Sequence, residues 1–130
     1  MLERIFNPLK DYSILVLRLG VGGVFVGHGY LKLTGLQQFA DFLVQTGTPF
    51  PGIMAPMVAA IEFLGGLAIL LGIGTRVATL LLIAVMVVAM VTVTAARGFT
   101  GGYDINLALL GGLLCLLFGG PGKFALGGDL

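Results

Sequence analysis

The stretch YSILVLRLGVGGVFVGHGYLKL, Tyr12 to Leu33, decides the fold. At ~1.5 Å rise per residue a helix of this length crosses the hydrocarbon core of a bilayer. Two ionisable residues, Arg18 and His28, sit inside the otherwise apolar run, and a second apolar run contains Glu62. A charge near the bilayer centre costs ~2.5–3.5 kcal/mol on insertion scales, so it faces protein, a partner or a water-filled cavity. The pattern predicts an all-α integral membrane bundle with a polar interior.

Composition agrees. Hydrophobic residues make up 58% of the chain and charged residues 10%, with a mean hydropathy of +1.09. A soluble domain carries ~25% charged residues, more than this chain could supply. The 130 residues fit one domain, and the net charge of +1 argues for neither nucleic acid nor an acidic partner. The single Cys115, in the run LLCLLF, reads as a small hydrophobe; alone it forms no internal disulfide. Arg18 interrupts the N-terminal apolar run and no small-residue cleavage pattern follows, so the first span is expected in the mature protein.

Four spans can be drawn: about 12–33, 54–73, 77–96 and 103–118. The fourth is short and needs a thin bilayer, support from neighbours, or extension through Gly119 and Gly120. Thr48-Pro-Phe-Pro-Gly52 blocks helix propagation before the second span. Gly72-Ile-Gly-Thr75 makes spans two and three a tight hairpin, with Thr75 the expected cap of span three. Between spans one and two, Leu36, Phe39, Ala40, Leu43 and Val44 oppose Gln37, Gln38, Asp41 and Gln45. This predicts an amphipathic helix over about 36–46, too short to span, serving as an interfacial connector or as a lid over the bundle end. Arg4, Lys10, Arg76 and Lys123 outnumber Arg97 and Lys32 on the opposite side, placing both termini in the cytoplasm by the positive-inside rule.

On helical spacing Arg18, His28 and Lys32 share an arc of roughly 80°. Gly20, Gly23 and Gly27 form a stripe nearly opposite, expected to pack against another helix. On span two Ala55, Ala59, Glu62 and Gly66 share a face. Depth counting separates the polar groups by roughly 6–9 Å, and the expectation is an Arg18–Glu62 ion pair with His28 near its outer end. Two readings of that pair stay open. It can be a structural lock, or part of a pocket for a small amphiphile such as a quinone head group, where His28 and Glu62 exchange hydrogen bonds with carbonyls or hydroxyls. Lys32 either snorkels to the interface or joins the site. Asp104 and Asn106 open span four, Asp104 suiting a helix N-terminus, and with His28 and Lys32 they can line a mouth.

Other chemistry has little support. One His and one Cys give no zinc, haem or iron–sulfur ligand set, and the lone Ser13 has no base in predictable reach. No dinucleotide or phosphate-binding glycine pattern follows a soluble strand. Met86 and Met90 read as packing residues, and no chain of titratable groups crosses all four spans. There is no self-contained catalytic set.

The order and spacing of Arg18-Leu-Gly, Gly27-His-Gly-Tyr-Leu-Lys-Leu33, Glu62-Phe-Leu-Gly-Gly66, Leu71-Gly-Ile-Gly-Thr-Arg76 and Gly119-Gly-Pro-Gly-Lys-Phe124 resemble the DoxX family of small bacterial membrane proteins, from about residue 14 to 129. The resemblance implies a four-helix bundle in the cytoplasmic membrane. It also implies a link to quinone-coupled oxidoreductases working with a second polypeptide, or to complexes handling oxidative and thiol stress. By matching position it carries over Arg18, His28, Lys32 and Glu62 as the polar centre. A partner oxidoreductase subunit, a quinone ligand and a homo-oligomer through glycine faces are the expected associations. The alternative is a non-enzymatic scaffold that recruits other proteins.

Overall fold

A computed structural model describes residues 1–128, so the last two positions of the single domain drawn over 1–130 lie outside it, as does the end of the resemblance at 129. The described residues are helical with no strand: α1 (Leu2–Phe6), α2 (Ser13–Thr34), α3 (Leu36–Gln45), α4 (Pro51–Leu71), α5 (Thr75–Ala89) and α6 (Asp104–Gly119). Four helical stretches are long and apolar enough to cross a membrane: Leu2–Thr34, Pro51–Leu71, Thr75–Arg97 and Phe99–Gly119. The fourth gains its length at its beginning, through Phe99–Tyr103, where the chain kinks with non-helical backbone at Thr100 and Gly101. Of the extension through Gly119 and Gly120 offered as one alternative, only Gly119 joins the helix; Gly120, with φ 76°, ends it.

The most extensive helix contact is between α2 and α4. One face of α2 carries Arg18, Gly22, Phe25 and Gly29, all buried, and the α4 face carries Ala55, Ala59, Glu62 and Gly66, as the spacing predicts. The backbones touch: a Cβ at Gly29 would run into the Phe63 backbone, and one at Gly66 would lie 2.7 Å from Val26 N. Small residues are what permit such an approach in lipid. The expected stripe of Gly20, Gly23 and Gly27 packs against nothing and is open. Span one has two small-residue stripes, and spacing alone does not say which meets a partner.

These contacts also fix the register. Gly29 meets Phe63, Val26 meets Gly66 and Gly22 meets Leu70, so on the antiparallel pair Glu62 lies level with Tyr30. Arg18 sits near the end of α4. Twelve residues along α2 separate the two levels, about 18 Å at the helical rise.

The apolar core joins Val21 and Phe25 of α2, Ile69 of α4, Ala78, Leu82 and Met86 of α5, and Leu113 and Leu116 of α6. Between α4 and α5 the hairpin turns on two left-handed glycines, Gly72 (φ 71°) and Gly74 (φ 55°). Gly74, not Thr75, precedes the first turn of α5. Thr75 does not act as the cap: it is buried inside the helix and its Oγ1 has no hydrogen-bond partner. The helix over 36–45 forms and lies against α4 with Leu43 buried.

Candidate functional site

The two ends of the bundle use their polar residues differently. At the end holding both termini, polar groups close the fold. Arg18 is 2% exposed. Its guanidinium donates from Nε to Ile69 O (2.8 Å), from Nη2 to Leu70 O (2.9 Å), and from Nη1 to Phe124 O (2.6 Å) and Pro121 O (3.1 Å). The last carbonyls of α4, which have no intrahelical donor, are accounted for one by one. Ile73 N donates to Ala68 O, Gly72 N and Arg18 to Ile69 O, Arg18 to Leu70 O, Leu126 N to Leu71 O, and Gly127 N to Gly72 O. A cation at a helix C-terminus also meets the negative end of the helix dipole. Arg76 does the same for α6, donating from Nε to Leu117 O (3.0 Å) and from Nη2 to Phe118 O (3.3 Å). Tyr12 stacks on Phe124 at 4.8 Å, and Lys123 reaches Asp11 at 3.2 Å. The C-terminal tail is thus folded back onto the bundle and held by Arg18.

The expected Arg18–Glu62 pair does not exist. Glu62 pairs with Lys32, Nζ to Oε1 at 2.6 Å. Lys32 therefore does not snorkel away; its ammonium turns inward and also lies 4.9 Å from the centroid of the Phe39 ring on α3. The physical reason is the register: Glu62 is level with the C-terminal part of α2, out of reach of Arg18.

At this second end the bundle opens into a cavity of about 610 Å³, within the range of small-molecule sites. Its walls are overwhelmingly apolar: Phe25 of α2, Phe39 and Phe42 of α3, Met54 and Val58 of α4, Val85 of α5. Four of the residues expected at the site line it: His28, Lys32, Glu62 and Asn106. Two do not. Arg18 lies at the other end, and Asp104 sits in the first turn of α6, where its carboxylate accepts from Ile105 N (2.8 Å) and Gly101 N (3.3 Å). Met57, Leu81, Val88 and Ile105 line the cavity while remaining exposed, so its rim includes apolar residues of α4, α5 and α6. The helix α3 covers part of it with Phe39, Phe42 and Leu43.

The polar atoms of the cavity are incompletely paired. Glu62 is 3% and Asn106 6% exposed. Glu62 Oε2, Asn106 Oδ1 and Thr94 Oγ1 are buried without a hydrogen-bond partner. Asn106 Nδ2 donates to Met86 Sδ at 2.8 Å, a weak acceptor on a side chain that packs in the apolar core as expected. Buried polar atoms are nearly always paired in folded proteins; here three unpartnered ones lie around one apolar cavity. Residue counting did not anticipate Thr94, which approaches through the π-helical turn Met90–Thr94, nor the α3 aromatics as walls. Phe39 was visible only as part of an amphipathic face.

Comparison with known proteins agrees with the membrane-helix architecture. The sequence profile of the DoxX family matches residues 13–95. The Bacillus subtilis (strain 168) protein named "Putative oxidoreductase CatD" is 32% identical over 104 residues, covering 80% of this chain and 76% of that one. The Escherichia coli (strain K12) "Inner membrane protein YqjF" is 32% identical over 125 residues, 92% and 93% of the two chains. A Mycobacterium tuberculosis (strain ATCC 25618 / H37Rv) membrane protein, Rv3486, is 30% identical over 137 residues, 95% and 84%. No solved structure matches the chain significantly.

Proposed function

The chain belongs to the DoxX family, and on that premise we propose that it is a small bacterial inner-membrane subunit that binds a quinone-like amphiphile in the Glu62 cavity and supports a membrane oxidoreductase complex. One observation carries this reading. A cavity of about 610 Å³ with apolar walls and an exposed apolar rim holds a part-buried Lys32–Glu62 pair whose second carboxylate oxygen is buried and unpartnered. Such a shape suits a ligand with an apolar body and one polar end, arriving from the bilayer. The name of the Bacillus relative, an oxidoreductase, points the same way. His28 and Lys32 are the donors near a bound head group, and Glu62 and Asn106 the acceptors. No electron carrier is assigned to this chain; a partner subunit supplies and removes electrons. With Arg4, Lys10, Arg76 and Lys123 on the cytoplasmic side, the cavity lies in the outer half of the membrane.

Mass spectrometry of an organic extract from gently purified protein tests this. A stoichiometric quinone or quinol should accompany the wild type and be absent from a folded Lys32→Met/Glu62→Gln variant. Lipid alone in both would refute the ligand reading and favour a scaffold that recruits other proteins. Arg18→Ala should keep the ligand, since Arg18 holds the tail rather than the cavity.

A further inference from the structure

Resting on the reading of the cavity as a ligand site, we infer that it selects a head group that donates hydrogen bonds, a hydroxyl-bearing reduced amphiphile such as a hydroquinone or phenol, over one carrying only carbonyl oxygens. The cavity's fixed unpaired atoms are acceptors. Glu62 Oε1 is engaged by the Lys32 ammonium, and an ionised carboxylate donates nothing, so the buried Oε2 can only accept.

Asn106 is held the same way round by its neighbour. Its amide N–H points to Met86 Sδ; turned over, the amide oxygen would face the sulfur, acceptor against acceptor. That orientation leaves Oδ1 as the unpaired atom. The hydroxyl of Thr94 rotates and suits either partner.

A carbonyl-only head group would bring lone pairs against both fixed acceptors and leave them unpaired, which is the arrangement polar sites discriminate against most strongly. A hydroxyl satisfies them and can still accept from His28. The Lys32 ammonium, paired with Glu62 and set over the Phe39 ring, keeps N–H donors for an oxygen of either head group and so does not discriminate between them. The selectivity arises in binding and requires no electron transfer in this chain.

The test uses pairs of probes that differ in the O–H alone: dodecylphenol against its methyl ether, and, under anaerobic conditions, decylhydroquinone against decylbenzoquinone. Binding to the full chain is followed by saturable thermal shift and by equilibrium titration in detergent. The hydroxyl member of each pair should bind at least about tenfold more tightly, the effect of one charge-assisted hydrogen bond. The ratio should fall below about threefold in Asn106→Leu and in Lys32→Met/Glu62→Gln. Asn106→Leu removes an acceptor whose amide otherwise bonds only Met86, so it leaves the bundle intact.

Equal affinity within each pair overturns the inference and leaves the cavity as a ligand site. A preference that survives both variants also overturns it, by showing that the hydroxyl docks elsewhere. Saturable binding of no probe overturns the inference and the site together.

Discussion

Replacing Arg18 by Leu should release the C-terminal tail while leaving the cavity unchanged. The guanidinium joins four carbonyls, two on α4 and two, Pro121 and Phe124, on the tail. Ile69 O keeps Gly72 N as a second donor, so Leu70, Pro121 and Phe124 are the oxygens left stranded. Hydrogen bonds to a charged group contribute about 1.5–3 kcal/mol each. The two tail bonds together therefore hold the closed tail by about 3–6 kcal/mol. Detachment lets those two oxygens return to water, so the variant relaxes by opening the tail rather than by enduring buried orphans. At ~1.4 kcal/mol per decade, the open population rises by at least about a hundredfold. Hydrogen exchange reads this directly, because Leu126 N and Gly127 N donate to Leu71 O and Gly72 O only when the tail is closed. Their exchange in detergent should accelerate by that factor, while ligand affinity in the cavity, about 18 Å away along α2, changes less than twofold. Tail exchange within threefold of wild type would refute the reasoning and place the hold on the tail elsewhere, in the Tyr12–Phe124 stack or the Lys123–Asp11 pair.

Other outcomes follow from the same contacts. Lys32→Met or Glu62→Gln alone should lower stability by about 1–3 kcal/mol, below the ~3–5 kcal/mol typical of a fully buried pair because Lys32 keeps some exposure, and the double variant should recover most of the loss in thermal denaturation. A double-mutant cycle should give Arg18 and Glu62 a coupling under about 0.5 kcal/mol, as distant sites do; a coupling above 1 kcal/mol would contradict the observed partners. Gly29→Ala should prevent close packing of α2 on α4 and lower the melting temperature sharply, whereas Gly23→Ala, facing open space, should be neutral or stabilising by about 0.5–1 kcal/mol. Val88→Trp, on the exposed rim of the cavity, should slow ligand entry without lowering thermal stability; unchanged association kinetics would argue against a lateral route.

Much of the fold was legible because lipid imposes it: long apolar runs have one architecture open to them here, and the Pro and Gly clusters mark where they end. The buried face of α4 followed from spacing alone. What residue counting missed was the sliding position of α2 against α4. Depth estimates from residue counts brought Arg18 within reach of Glu62, but the close contact of Gly29 with Phe63 shifts them far apart. Neither of two small-residue stripes announces itself as the packed one. Arg18's true partners are backbone carbonyls, which carry no residue-type signature, so a sequence reading naturally pairs it with the nearest carboxylate. Asn106 was found because it stands with Asp104 at the opening of span four; Thr94 was not, because a threonine near a helix end excites no attention until a π-helical turn brings it to the cavity.

One face of α2 carries Arg18 near its beginning and Lys32 near its end. The first is committed to closing the chain, the second to the chamber, and a rigid helical rod separates the two tasks. Mutational damage at one end is thereby insulated from the other. The chamber can accumulate substitutions while the latch keeps the scaffold intact, so the two ends of one short chain can change at different rates.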